Sequence, residues 1–206
     1  MVDFKKSTTA FLFVFSSILA YSQYKVEGYI INKTKDTVWG TVNIKKKKKT
    51  LDLQSLFKGV TFYSKSLRIE MEYRTEEILG FGIRSDNLTD DYVSPEAIGE
   101  KSKDIFYRRL VSGNIQIFDL ENKRLTSEHG YDGRNYYKIK NVHEFYIKLN
   151  GQKLKMLEGD DFIFKKDYLQ ELFQNHPELL VKIDGDKDIA ALEEIITEYN
   201  KKYPIN

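Results

Sequence analysis

The chain has 206 residues, with 33 Lys and Arg against 31 Asp and Glu, and no cysteine. A formal charge of +2 lacks the basic excess of a nucleic-acid-binding domain. The absence of cysteine excludes disulfides, thiolate metal sites, a Cys nucleophile and a lipid anchor through Cys, so stability has to come from the core.

Residues 1–22 read as an export signal: a basic start ending in Lys5 and Lys6, an apolar run from Ala10 to Ala20, and small residues at Ala20 and Ser22 before Gln23. The run is shorter than the roughly 20 apolar residues a spanning helix needs. Cleavage after Ser22 would leave residues 23–206, a length suited to one domain with a sizeable core. The expected address is the periplasm or the cell exterior, with no transmembrane segment once the signal is removed.

Residues 24–164 carry short runs of Tyr, Phe, Val, Ile and Thr between polar turns, the pattern of antiparallel strands. Tyr24–Ile31 and Thr37–Ile44 form a hairpin through Lys33–Asp36. Directly after it, Lys45, Lys46, Lys47, Lys48 and Lys49 could hold a polyanion such as an envelope phosphate or an acidic glycan. A solvated strand end, where lysines discourage edge-to-edge pairing, is the commoner role of such a run. In Leu67–Arg74, strict alternation puts Leu67, Ile69, Met71 and Tyr73 on a buried face. Residues 84–103 read as a surface loop carrying Asp86, Asp90, Asp91 and Glu96. Two of these carboxylates could act as acid and base in a small hydrolase if a cleft held them roughly 5–10 Å apart, although a solvated acidic loop is by far the commoner reading. Ile105–Val111 and Ile115–Leu120 pair through Ser112-Gly113-Asn114, and Asn122–Gly133 is a second polar loop. A type I′ turn at Asn150-Gly151 would pair Leu149 with Gln152, Ile147 with Leu154 and Phe145 with Met156.

From Asp167 the period becomes helical. Leu169, Leu172 and Phe173 fit a short helix with Asp167 and Gln170 as a capping box, and Pro177 opens another turn. Ile189, Leu192, Ile196 and Tyr199 mark a final helix that turns Glu193, Glu194, Glu198 and Lys202 to water. The expected fold is α+β, an antiparallel β-rich body over residues 24–164 with two to three C-terminal helices packed on it as a single domain.

Gly28-Tyr29-Ile30 with Asp36-Thr37-Val38-Trp39-Gly40, Arg109-Leu110-Val111-Ser112-Gly113 and the closing Tyr199-Asn200 resemble a group of secreted Bacteroidota proteins that carry no assigned activity. The resemblance implies an envelope or extracellular location and transfers no functional residue.

Side chains suited to chemistry are sparse. His129, His143 and His176 include no i, i+4 metal pair. His143, beside Glu144, could act as a general base, although a surface histidine is commoner; His176 should meet the carbonyls that end the preceding helix. Asp184-Gly185-Asp186-Lys187-Asp188 opens like a calcium loop, yet Ile189 stands where that loop needs Gly and Ile195 where it needs Glu, so a turn ending in a helix cap is expected. The pairs Phe62-Tyr63, Phe106-Tyr107, Tyr136-Tyr137 and Phe145-Tyr146 would each turn one ring in and one out, and the outer rings could bind a sugar or peptide. With no nucleophile elbow and no phosphate-cradling glycine loop, no cofactor, metal or nucleic-acid partner is expected. The sequence points to a binding or structural module without catalysis, its partner an envelope component or glycan. The hydrolase and the peripheral polyanion binder are the alternatives.

Overall fold

The computed structural model describes residues 23–47, 50–86, 88–100, 104–129, 135–159 and 162–204. The expected signal, Lys48 and Lys49 lie outside the described residues.

Two hairpin meanders stand back to back. The first runs outward from β1 (Gln23–Asn32) through β2 (Thr37–Lys47), with β3 (Thr50–Leu51) folded on its end, to β4 (Val60–Ser64) and β5 (Ile69–Tyr73). The chain then returns to lay β6 (Ile78–Ser85) along the other edge of β1. From there it runs outward through β7 (Leu88–Val93), β8 (Tyr107–Val111), β9 (Ile115–His129), β10 (Asn135–Leu149) and β11 (Lys155–Met156). Among the described residues this gives one antiparallel sheet of eleven strands. Beyond it come β12 (Ile163–Phe164), paired with β13 (Lys187–Asp188), and three helices: α1 (Lys166–Leu172), α2 (Pro177–Leu180) and α3 (Ile189–Lys202). The fold is the α+β arrangement expected, with a β-rich body and C-terminal helices.

One face of the sheet carries most of two cores, and the first of them extends to Tyr107, Phe118 and Leu120 on the opposite face of β8 and β9. On the first meander and its neighbours, Val26, Val42, Phe62, Phe81 and Ile83 are covered by Leu56 and Phe57 from the single helical turn Leu53–Phe57. On β9 and β10, Ile117, Ile147 and Leu149 are covered by Leu169, Phe173, Leu179, Leu192 and Ile196 from the helices. The opposite face is open to solvent along β1 and β2.

Several local expectations are overturned for reasons of register and edge position. The acidic stretch from Arg84 contains β7, so Asp90 and Asp91 sit on opposite faces of a strand. The polar stretch from Asn122 continues β9 as far as His129. β5 alternates as expected but is the outermost strand, where only Tyr73 of its apolar side packs on the core. Leu67, Ile69 and Met71 are 66%, 45% and 43% exposed. At the β10–β11 turn only Gly151 takes a positive φ, so a type I′ turn, which needs two such residues, does not form. Tyr146 then pairs with Met156 and Ile147 with Lys155, a slip of one residue from the expected register. That slip turns Met156 outward and brings Leu157 into the core beside Phe145. Phe106 and Tyr107 are both buried, rather than one in and one out.

At α1 no capping box forms. Lys165 is the N-cap residue, and the Lys166 N–H donates to the Asp186 carboxylate at 2.9 Å, a cap supplied from a distant turn. α3 begins as expected, with Asp188 accepting from the Ala191 N–H at 2.8 Å.

Candidate functional site

On the open face, hairpin pairing places Tyr29 of β1 opposite Trp39 of β2 and, on the other side, opposite Gly82 of β6. A Cβ at Gly82 would lie 2.3 Å from the Tyr29 ring, so glycine is what allows the ring to lie down on the sheet. Tyr29 Oη donates to Asp91 Oδ1 at 2.8 Å, and Arg84 Nη2 donates to the same oxygen at 2.5 Å. Arg84 Nη1 is held by the carbonyls of Ile83 and Asp90, which sets its guanidinium 5.0 Å over the Tyr29 ring. Burial, the hydrogen bond to Asp91 and its charge push the Tyr29 hydroxyl up, so it remains a donor at neutral pH. Against this fixed ring stands Trp39, its centroid 5.3 Å away and its plane tilted by 58°, with 60% of its surface exposed. Lys65 reaches across β2 to Glu27 at 2.8 Å. The result is an aromatic corner flanked by two ion pairs whose donors and acceptors face solvent.

The other face holds a polar seam between the two cores. Asp119 of β9 is fully buried. Its Oδ2 accepts from Arg108 Nη2 at 2.6 Å and its Oδ1 from His143 Nδ1 at 2.8 Å. Glu121, opposite His143 on β9, accepts from Gln54 Nε2. Burial pushes the carboxyls of both Asp90 and Glu193 up, against the pull of Arg108. Glu193 of α3 thus belongs to the seam, whereas its sequence spacing turned it to water.

A carboxyl whose folded pKa is raised contributes stability that is present at low pH and is lost as pH rises through that value. Ionised Asp90 therefore weighs against the fold at neutral pH. Asp90→Asn is expected to raise the urea midpoint at pH 7 and to lose that advantage near pH 3, where the wild-type carboxyl is protonated. A midpoint lowered at pH 7 would mean that Arg108 needs the Asp90 charge.

His143 also lines a cleft of about 530 Å³ between the edge of β10 and residues 156–159 and 162–168. Among the described residues its Nε2 has no hydrogen-bond partner.

The residues singled out in the sequence lie apart. Lys46 and Lys47 pair with Leu51 and Thr50, and Lys46 Nζ sits 5.2 Å over the Tyr24 ring. Lys45 shares a cleft with Lys58 and Arg74 but also with Glu72, Glu76 and Asp104, so that surface is mixed in sign. Glu96 pairs with Lys33, Asp91 with Arg84, and Asp86 is exposed in a turn. The His176 ring Nδ1 meets Tyr199 Oη at 3.0 Å, and it is the backbone N–H of His176 that donates to the Phe173 carbonyl at the end of α1, at 2.7 Å. Asp184, Asp186 and Asp188 engage Lys187, Lys166 and Ala191 separately, and no metal-binding group of three forms among the described residues. The side chains of His129 and Tyr136 lie outside the described residues.

Sequence reasoning passed over Asp119 and Arg108, and it assigned no role to Trp39. Register in the first hairpin was the signal that could have paired Trp39 with Tyr29. Comparison with known protein families, with curated proteins and with solved structures gives no match.

Proposed function

We propose that the protein is an exported binding module that holds a polysaccharide on the open face of its sheet. One observation carries this reading: Trp39 is 60% exposed yet fixed in place by Tyr29, which is itself pinned by Gly82, Arg84 and Asp91. A pyranose ring stacks its C–H face on an indole, and its hydroxyls accept hydrogen bonds from guanidinium and ammonium groups and donate to carboxylates of the kind set beside Trp39. Holding those groups still before binding reduces the entropy lost on association. Lys45 lies on the same face six residues along β2, about 20 Å away, within reach of a chain of several sugars. Export rests on the order of residues in 1–22. Among the described residues, no helix is long and apolar enough to cross a membrane.

Trp39 is the sole tryptophan, so its fluorescence reports on the site alone. Soluble glucans, xylans, mannans and polyuronates should be titrated against the intact protein. At least one should shift the emission saturably, and Trp39→Ala should abolish retention of the protein in a native gel cast with that polysaccharide. An unchanged spectrum across all four classes, or equal retention of Trp39→Ala, contradicts the reading.

A further inference from the structure

We propose that His143 is the proton acceptor of a separate hydrolytic site that takes small esters with apolar acyl or aryl groups in the cleft beside β10. The proposal departs from the expectation of no catalysis and does not rest on the polysaccharide reading, because His143 and Trp39 lie on opposite faces of the sheet.

The imidazole is set for the task by its neighbours. The buried Asp119 carboxylate accepts a hydrogen bond from His143 Nδ1 at 2.8 Å, which fixes the tautomer and leaves the Nε2 lone pair for the cleft. Arg108 holds the second carboxylate oxygen at 2.6 Å, so Asp119 cannot turn away from the ring. Apolar walls come from Phe145, Met156, Phe162 and Phe164. Phe162 packs 6.1 Å from the imidazole and 5.4 Å from Phe145. It does so with φ +68° and 46% of its surface exposed, a backbone conformation that is strained for a residue with a Cβ. A bulky, strained and half-exposed aromatic beside an oriented imidazole is better suited to contact with a ligand than to packing. Lys165 also lines the cleft, its Nζ paired with Asp186 at 3.2 Å. The charged groups around the ring are Asp119, Arg108 and Glu121 on the sheet, with Glu144, Glu158 and Lys165 along the cleft.

The step consumes one water. Nε2 accepts a proton from it as the water oxygen bonds to the ester carbonyl carbon. The tetrahedral intermediate then collapses, the bond to the alcohol or phenol oxygen breaks, and that oxygen takes the proton from Nε2. Acid and alcohol leave, and nothing is oxidised or reduced.

The probes are p-nitrophenyl acetate and butyrate with the intact protein. Wild type should release nitrophenol about a hundredfold faster than His143→Gln. Asp119 is a positioning residue, so Asp119→Asn should lower kcat more than it raises KM. If that variant fails to fold, Phe162→Ala, which leaves the Asp119–His143 pair intact, should raise KM for the butyrate ester more than for the acetate ester. Equal rates for wild type and His143→Gln, or a wild-type rate no greater than that of free imidazole at the same concentration, would overturn the proposal.

Discussion

Truncating Leu192 or Ile196 to Ala is expected to destabilise the protein by about 2–5 kcal/mol, the range for deleting a buried aliphatic side chain. Both residues are fully buried in the second core, where α3 lies on β8 and β9. A helix of 14 residues is marginal in water on its own, so it persists through this contact. Glu194→Ala and Glu198→Ala should each leave the stability nearly unchanged. Glu194 is exposed, and the Glu198–Lys182 ion pair is solvated on both sides. Glu193 is the wrong control, because it is half-buried at the polar seam. Urea denaturation of the four variants measures the contrast. Equal small losses at all four sites would mean that α3 is not docked.

Asn200→Ala is the second large effect. This side chain clamps α3 to the β8–β9 turn: it accepts the Ile115 N–H at 3.0 Å and donates to the carbonyls of Ile115 at 2.7 Å and Ser112 at 3.0 Å. Gly113, at φ +131°, leaves no room for a Cβ, which would lie 2.5 Å from the Asn200 side chain. Nearby, Asn114 Nδ2 donates to the Tyr203 carbonyl at 2.5 Å and ties the turn to the helix end a second time. Removing the amide strands the polar backbone groups of the buried Ile115, each worth roughly 1–3 kcal/mol when left unpaired. A loss of about 3 kcal/mol is expected, with faster hydrogen exchange at the Ile115 amide. Asn200→Asp should not rescue it, because a carboxylate keeps the bond to the N–H but faces two carbonyl oxygens. Stability within about 0.5 kcal/mol of wild type for Asn200→Ala would show that water replaces the clamp.

Much of the architecture was legible because it is written locally. The β1–β2 and β8–β9 hairpins follow from alternation broken by short polar turns. The last helix follows from Leu192 and Ile196 at helical spacing behind an Asp188 cap. What escaped depends on partners distant in the chain. Alternation in β5 is real, but only the sheet order reveals that nothing packs on Ile69 and Met71. A single positive φ at Gly151 moved the last hairpin by one residue and exchanged Met156 for Leu157 in the core. The seam was invisible for the same reason: Arg108, Asp119 and His143 come together only when β8, β9 and β10 are in register. The aromatic corner lay closer to view, since Tyr29 and Trp39 face each other across one hairpin, but the glycine beneath the ring belongs to β6. Asp90 and Asp91, adjacent in sequence, serve opposite faces once β7 is recognised as a strand.

The central claim, that the open face between β6 and β2 is where a polysaccharide rests, is tested most directly by amide and indole chemical shifts of the labelled protein during titration with oligosaccharides. The account predicts saturable shifts confined to Glu27, Tyr29, Trp39, Gly82, Arg84 and Asp91, including the Trp39 indole N–H. Shifts centred on the His143 cleft or on the lysine end of β2, with Trp39 unmoved, would contradict it.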